Sequence, residues 1–220
     1  MSASSQPPAP VDPEAAVDPA LPLFPLQAVL FPGGLLHLRV FEARYLDMVS
    51  RCLRSGQPFG VVCLQQGGEV QRTSNDATRL ETVGTLAHID AVDAEQAGIL
   101  QLRCRGGVRF SLQDPRQASD GLWLAHAQSW TKEAITPVDE ALQPARDALR
   151  RAVDTLHTKG ETPFLSPYRY DDAGWIANRW CELLSITLAA RQRLMALDDP
   201  RLRLQLVQDY LIEKGIVSRG

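Results

Sequence analysis

Residues 36–49 read LHLRVFEARYLDMV. Two periods meet in this stretch. Leu36, Leu38 and Val40 alternate with His37 and Arg39, the two-residue repeat of a half-buried strand. From Glu42 the repeat lengthens. Tyr45, Leu46, Met48, Val49, Cys52 and Leu53 follow the i, i+3, i+4, i+7 spacing of a helix with one buried face, and Gly56 suits its C-terminal cap. The stretch therefore predicts a strand-to-helix corner near 40–42. Glu42, Arg44 and Tyr45 at that corner are types that enzymes use to move protons and hold anions. They are equally types that brace a corner. A carboxylate at a helix start favours the free N–H groups and the dipole, and the five guanidinium donors suit an acid or a loop carbonyl. Bracing is the reading adopted here.

Around the corner the signals are those of strands. LQAVLFP (26–32) is short, β-branched and aromatic, and runs into Pro32-Gly33-Gly34. FGVVCLQ (59–65) is a continuous apolar run ending at Gly67-Gly68, as a fully buried strand would be. TVGTLAHIDAVD (82–93) and GILQLRCRG (98–106) follow. Gly106-Gly107 is a turn signal, and VRFSLQD (108–114) pairs behind it as a hairpin. LWLAHAQSW (122–130) closes the series. Short strands with Gly-rich turns at this spacing predict an antiparallel barrel or sandwich.

After Thr136-Pro137 the period becomes helical. Val138, Ala141, Leu142, Ala145, Leu149, Ala152, Val153 and Leu156 form one stripe, closed by Gly160. Trp175, Ile176, Trp180, Leu183 and Leu184 mark a second helix over 172–185. Leu188, Leu194 and Leu197 mark a short third one. Asp199-Pro200, an N-cap followed by proline at the first helical position, opens a last helix over 200–213 with Leu202, Leu206, Val207, Tyr210 and Leu211. Strands first and helices second predict an α+β fold rather than alternating βαβ units.

The totals set bounds. The 220 residues suit one large domain or two small ones. At 45% hydrophobic and 22% charged, the composition is that of an ordinary soluble globular protein. A net charge of -3 and a pI of about 5.8 give no overall pull towards nucleic acid or anionic lipid. Cys52, Cys63, Cys104 and Cys181 form no CxxC pair, and each lies in an apolar run, which predicts buried, reduced thiols. No stretch reaches the roughly 18–20 apolar residues of a membrane helix. Residues 1–20 carry five prolines and three acids with no basic residue or apolar core. They read as a disordered tail rather than a secretory signal, and the protein is expected to be cytoplasmic.

Catalytic and nucleotide-binding motifs are missing: GxxxxGK[ST], GxGxxG, HExxH and GxSxG do not occur. His37, His88, His126 and His157 are far apart, so no metal site is expected. Asp171-Asp172 and Asp198-Asp199 precede helices and read as caps. Arg191, Arg193, Arg201 and Arg203 form a basic cluster that reads as a solvated helix face. The loop ETPFLSPYRYDD (161–172) joins two helices and holds Phe164, Tyr168 and Tyr170. Exposed, these three would form an apolar binding patch; folded down, they would seal the helices.

The order of these motifs resembles the N-terminal, substrate-binding domain of Lon-type ATP-dependent proteases. LPLFPLQAVLFPGG (21–34), LHLRVFEARYLDMV (36–49) and FGVV (59–62) look like that domain's opening signature, with Phe31, Pro32, Glu42, Arg44 and Tyr45 as its structural positions. VGTLAHI (83–89), GGVRFSL (106–112), WIANRWCELL (175–184) and RQRLMALDDPRLRLQLV (191–207) follow in the expected order. The resemblance covers about 21–213. It implies a β-rich, PUA-like pseudobarrel over 21–136 with one helix, then a helical bundle over 137–220. It also implies recognition of polypeptides that are unfolded or expose hydrophobic segments. No ATPase or Ser-Lys peptidase module is expected in these 220 residues. The expected function is therefore a non-catalytic protein- or peptide-binding module without cofactor or metal, acting as an adaptor or client sensor with or beside a protease complex. Phe164, Tyr168 and Tyr170 are the candidate client-binding residues. The alternative is an RNA-binding PUA-like protein, against which the acidic pI and the lack of a basic, aromatic-interleaved strand count.

Overall fold

The corner lies where the two periods meet. Strand β2 (Leu35–Val40) ends and helix α1 (Ala43–Ser55) begins, with Phe41 and Glu42 between them. Gly56 closes α1 in the left-handed conformation at φ 70°, its N–H bonded to the Cys52 carbonyl. The computed structural model describes residues 17–66, 68 and 78–218. Its other elements are β1 (Val17–Leu26), β3 (Phe59–Gln66), β4 (Arg79–Gln96), β5 (Ile99–Gln117) and β6 (Trp123–Ser129). A 3-10 turn at Glu140–Leu142 then leads to α2 (Gln143–Thr158), α3 (Ala173–Leu183), α4 (Leu188–Ala196) and α5 (Pro200–Glu213). The fold is mixed α+β, strand-rich first and helical second.

The strands form one sheet in the order β2-β5-β4-β3-β1-β6, and β6 pairs back onto β5. Five strands thus close on themselves, which removes most open edges, while β2 lies on the first half of β5. The pairings are antiparallel except that β1 and β3 run parallel, against the all-antiparallel expectation.

Two strand readings need correction. The strand expected over 26–32 lies upstream, as β1. Its prolines sit uneasily in a strand, because proline cannot donate to a ladder. The register removes the conflict: β6 flanks β1 from Val17 to Leu23, and β3 flanks it from Leu23 to Leu26. Most of β1 thus has a neighbour on one side only, and the missing N–H groups can face the open side. The segment read as a tail, 1–20, lies outside the described residues up to 16, and 17–20 begin this strand. The turn expected at Gly67-Gly68 falls largely outside the described residues too.

The second correction concerns Gly106-Gly107. They do not turn the chain. β5 runs straight through them for 19 residues, and the turn to β4 lies at Gly98, φ 78°. A Cβ on Gly106 would fall on the Phe31 carbonyl oxygen, and one on Gly107 would meet the His88 ring at 2.7 Å. These glycines allow close approach rather than a reversal.

Helix α1 buries Tyr45, Met48, Val49 and Cys52 against Phe24, Phe59, Leu102 and Cys104. The Phe24 and Tyr45 rings stack at 4.1 Å. A second core gathers Leu149, Val153, Ile176, Trp180, Leu204, Val207 and Leu211 from α2, α3 and α5, and reaches Phe31 on the strand side. Arg44 braces the corner as its donors suggested. It donates to Glu42 Oε2 at 2.7 Å and to the Gly121 carbonyl at 2.9 Å. Glu42 occupies the N-cap position but makes no side-chain cap bond; its carboxylate is directed to Arg44 instead.

Candidate functional site

Segment 27–34 leaves β1 and folds over the middle of β5. Gly33 N–H donates to the Gly106 carbonyl at 2.8 Å, and Gly106 N–H returns to the Gly34 carbonyl at 2.9 Å. Gly33 adopts φ 70°, which only glycine takes without strain. Between Arg105, where β2 pairing ends, and Phe110, where β6 pairing begins, no strand among the described residues lies on that side of β5. A cleft of about 460 Å³ opens there. Its walls are the 31–34 loop, the segment after β6, and the first turns of α3.

Buried arginines hold two of these walls. Arg179 of α3 is fully buried and donates to the Gly33 and Pro32 carbonyls at 2.7 and 3.0 Å. It also pairs with Glu182 at 2.9 Å. Burial lowers the pKa of this guanidinium and pushes the Glu182 carboxyl up to about 7. On the other side Glu133 bridges Arg109 of β5 at 2.9 Å and Arg203 of α5 at 2.7 Å. Arg109 further donates to the Met195 and Leu197 carbonyls and lies over the Trp130 ring. Arg203 also bonds Asn178 and the Leu197 carbonyl. Gly174 gives Glu133 room, since a Cβ there would fall on its Oε1.

The lining combines apolar surface from Pro32, Leu86, Val108 and Trp175 with three cations at the rim, Arg105, Lys132 and Arg169. The two lining acids are already engaged. Glu133 serves the two arginines, and Asp172 caps α3 through Gly174 N–H at 3.1 Å while accepting from Thr136 N–H. Burial and then the Arg105 charge lower the pKa of His88, so at neutral pH it adds no charge. Hydrogen-bond donors, rim cations and apolar walls amount to binding chemistry.

The aromatic loop lies beside this cleft. Phe164 is 5% exposed and packs edge-on against Trp175, so it lies mostly enclosed rather than on an open patch. Tyr168 and Tyr170 are half-buried around the same indole. The Tyr168 hydroxyl lies 3.0 Å from His157 Nε2, and Arg150 covers the Tyr170 ring at 4.8 Å. Of the signature residues, Phe31 is buried between sheet and helices and Pro32 lines the cleft. Glu42, Arg44 and Tyr45 belong to the corner. Asp172 and Asp199 cap α3 and α5 as expected, the latter through Arg201 and Leu202 N–H. Asp198 instead reaches Arg109 at 3.3 Å.

The basic cluster over 191–203 is not one solvated face. Arg203 is 1% exposed, and Arg191 donates to the Leu184 carbonyl. Arg109, Glu133, Arg179 and Arg203 had not been singled out as a connected set. A partial signal existed: Arg203 shares the i, i+4, i+8 stripe with Val207 and Leu211. A charge on an apolar stripe asks for a buried partner.

All four thiols are buried and unpaired. Burial pushes Cys63 up to about 11 and Cys104 and Cys181 up to about 12. Among the described residues no group of three or more His, Cys, Asp or Glu is placed to hold a metal ion, and no helix is long and apolar enough to cross a membrane.

Comparison with known proteins then gives a consistent result. The family described as the ATP-dependent protease La (LON) substrate-binding domain matches residues 20–213. The fold is similar to that of a Lon N-terminal domain protein from Xanthomonas campestris, with a TM-score of 0.69 and 31% sequence identity, covering 87% of this chain and 98% of that one. It is also similar to the N-terminal domain of a Mycobacterium avium complex Lon protease, with a TM-score of 0.57 over 87% of this chain and 97% of that one. At 15% identity the second likeness bears on the fold alone. No curated protein matches the chain.

Proposed function

Since the chain belongs to the family of Lon substrate-binding domains, we propose that it is a non-catalytic module binding polypeptides that are unfolded or expose hydrophobic segments. In this reading it serves in the cytoplasm as an adaptor or client sensor, with or beside a protease complex. The architecture we assign is a PUA-like pseudobarrel over 21–136 followed by a helical bundle over 137–220. The closed five-strand ring and the separate helical core support that division.

The observation that carries the functional reading is the cleft between sheet and helices, lined by binding groups and walled by clamped backbone. Its volume of about 460 Å³ lies within the range of about 300–1,000 Å³ usual for ligand sites. Tyr168 and Tyr170 extend the surface beside it, with Phe164 as the packing behind them. Burying a client's apolar side chains against this face supplies the affinity.

RNA is the second reading, favoured by the rim cations alone. Single-stranded nucleic acid is held by bases stacking on open aromatic faces. Here Trp175 is 6% exposed and ringed by Phe164, Tyr168 and Tyr170, and Arg109 covers Trp130.

Fluorescence anisotropy separates the two. A reduced, alkylated and permanently unfolded protein should bind, its folded counterpart should not, and single-stranded RNA should bind more weakly than the unfolded protein. Tyr168→Ala with Tyr170→Ala should weaken client binding severalfold. RNA binding with no binding of the unfolded protein would overturn the proposal.

A further inference from the structure

The cleft's charge is unbalanced in a way that its fold does not require. Six charged side chains line it: Arg105, Arg109, Lys132, Arg169, Glu133 and Asp172. Arg109 and Arg203 are balanced within the internal network by Glu133 and Asp198. Asp172 accepts from Gly174 N–H at the start of α3 at 3.1 Å and meets Arg169 only at 3.7 Å. Arg105 has a loose contact to Asp90 at 3.5 Å and is about half exposed. Lys132 is exposed and makes no ion pair among the described residues. The rim therefore presents one cation without an ion pair and two held only in long ones, in a protein of net charge -3. Leu86 and Val108 supply apolar surface in the same cleft.

We propose that the cleft selects acidic segments of its clients: an extended stretch in which an apolar side chain enters between Leu86 and Val108 while neighbouring Asp or Glu carboxylates meet Arg105, Lys132 and Arg169. This inference rests on the client-binding reading and narrows it. The carboxylate is an acceptor that guanidinium and ammonium donors hold in charge-assisted bonds. The two acids in the lining, already engaged, oppose it little. Because the cations are exposed, the preference is screened by salt. An apolar client without acids binds more weakly, and a basic one is repelled.

The test uses the whole chain and three labelled octapeptides: alternating Leu and Glu with an amidated C terminus, the same with Gln for Glu, and the Gln form with a free C-terminal carboxylate. The unfolded protein and a single-stranded RNA are run beside them. At low salt the Leu/Glu peptide should bind about tenfold tighter than either Gln form, with the gap closing as salt rises. Lys132→Gln combined with Arg169→Gln should narrow the gap, leaving only the part that Arg105 holds, with a melting midpoint close to that of the wild type. Equal binding of the Glu and Gln peptides overturns the inference, as does a gap as wide in the double variant as in the wild type. The free-carboxylate Gln peptide binding as tightly as the Glu peptide overturns it in favour of chain-end recognition. RNA binding more tightly than the Glu peptide, and lost in the double variant, overturns it in favour of nucleic acid. Wild-type chain that binds the unfolded protein yet ignores peptide charge defeats this inference alone. Failure to bind the unfolded protein at all defeats the client reading beneath it.

Discussion

Replacing Glu133 by Gln removes one negative charge from between two buried positive ones and changes almost nothing else. The Arg109 and Arg203 side chains are 3% and 1% exposed, and both have Nη2 on the same Glu133 oxygen, Oε2. Breaking a buried ion pair by deleting one partner costs about 3–5 kcal/mol, because a charge is left in low dielectric. Two features reduce that here. Glu133 is itself about a fifth exposed. Both arginines also keep other acceptors: Asp198 and the Met195 and Leu197 carbonyls for Arg109, Asn178 and the Leu197 carbonyl for Arg203. A cost of about 2–3 kcal/mol remains. For a domain of this size that lowers the melting midpoint by about 5–10 °C. Urea unfolding followed by circular dichroism should show a lower midpoint with an unchanged slope, since the surface exposed on unfolding is the same. Asp198→Asn is the internal control. It touches the same arginine, but its side chain is almost fully exposed, so the change should stay within about 0.5 kcal/mol. Equal effects of the two substitutions, or a loss below about 0.5 kcal/mol for Glu133→Gln, would refute the view that this carboxylate holds the helices to β5.

Gly106→Ala should cost about 2–4 kcal/mol in urea unfolding, since the methyl must displace the Phe31 carbonyl and with it the Gly33–Gly106 bonds; a loss under about 1 kcal/mol would suit a turn glycine better than a close-approach one. Arg44→Ala removes the Glu42 and Gly121 bonds and the packing over Tyr45; it should lower stability by about 1–2 kcal/mol without changing client affinity, and the reverse pattern would move the corner into the binding site. For Glu182, burial raises the folded-state pKa to about 7 from an ordinary value of 4.5. The folded chain then holds the proton more tightly, so this group favours folding most below about pH 4.5, and its contribution falls as pH rises towards 7. Urea midpoints of wild type relative to Glu182→Gln should therefore decline across that interval and level off above it; a relative rise would show the Arg179 charge outweighing burial.

What the sequence made legible was local. The α1 corner follows from a change of period within fourteen residues. The Asp172 and Asp199 caps follow from a carboxylate placed one residue before a helix. What it hid was set by distant partners. Pro22 and Pro25 argue against a strand until the register shows β6 and β3 dividing β1 between them. Gly106-Gly107 looks like a turn because what needs the missing side chains is distant in sequence: the Phe31 carbonyl for Gly106 and the His88 ring for Gly107. The last helix shows the same difficulty in a different form. RLRLQLV (201–207) alternates every two residues, so a helix drawn through it can bury more than one set of side chains. Leu202 and Leu206, which belong to the apolar pattern that marks the helix, are each 46% exposed, while Arg203 and Leu204 are buried. A leucine is outside and an arginine inside because Glu133 and Asn178 satisfy the arginine there. Of these partners, Glu133 comes from a segment with no periodicity of its own.

The arginines around the cleft are of two kinds. Arg179 clamps the 31–34 loop, while Arg109 and Arg203 clamp the segment after β6; all three work inside the protein, where water and salt reach them poorly. Arg105 and Arg169, with Lys132, stand at the rim in solvent. The first group fixes the shape of the cleft; the second gives it a sign. Ionic strength distinguishes them, because screening acts on exposed charges far more than on buried ones. Moderate salt should thus leave the walls in place while removing the charge preference. A ligand held only by apolar contact with Leu86, Val108 and Trp175 would keep its affinity under the same conditions, which locates any salt-sensitive part of recognition at the rim rather than in the fold.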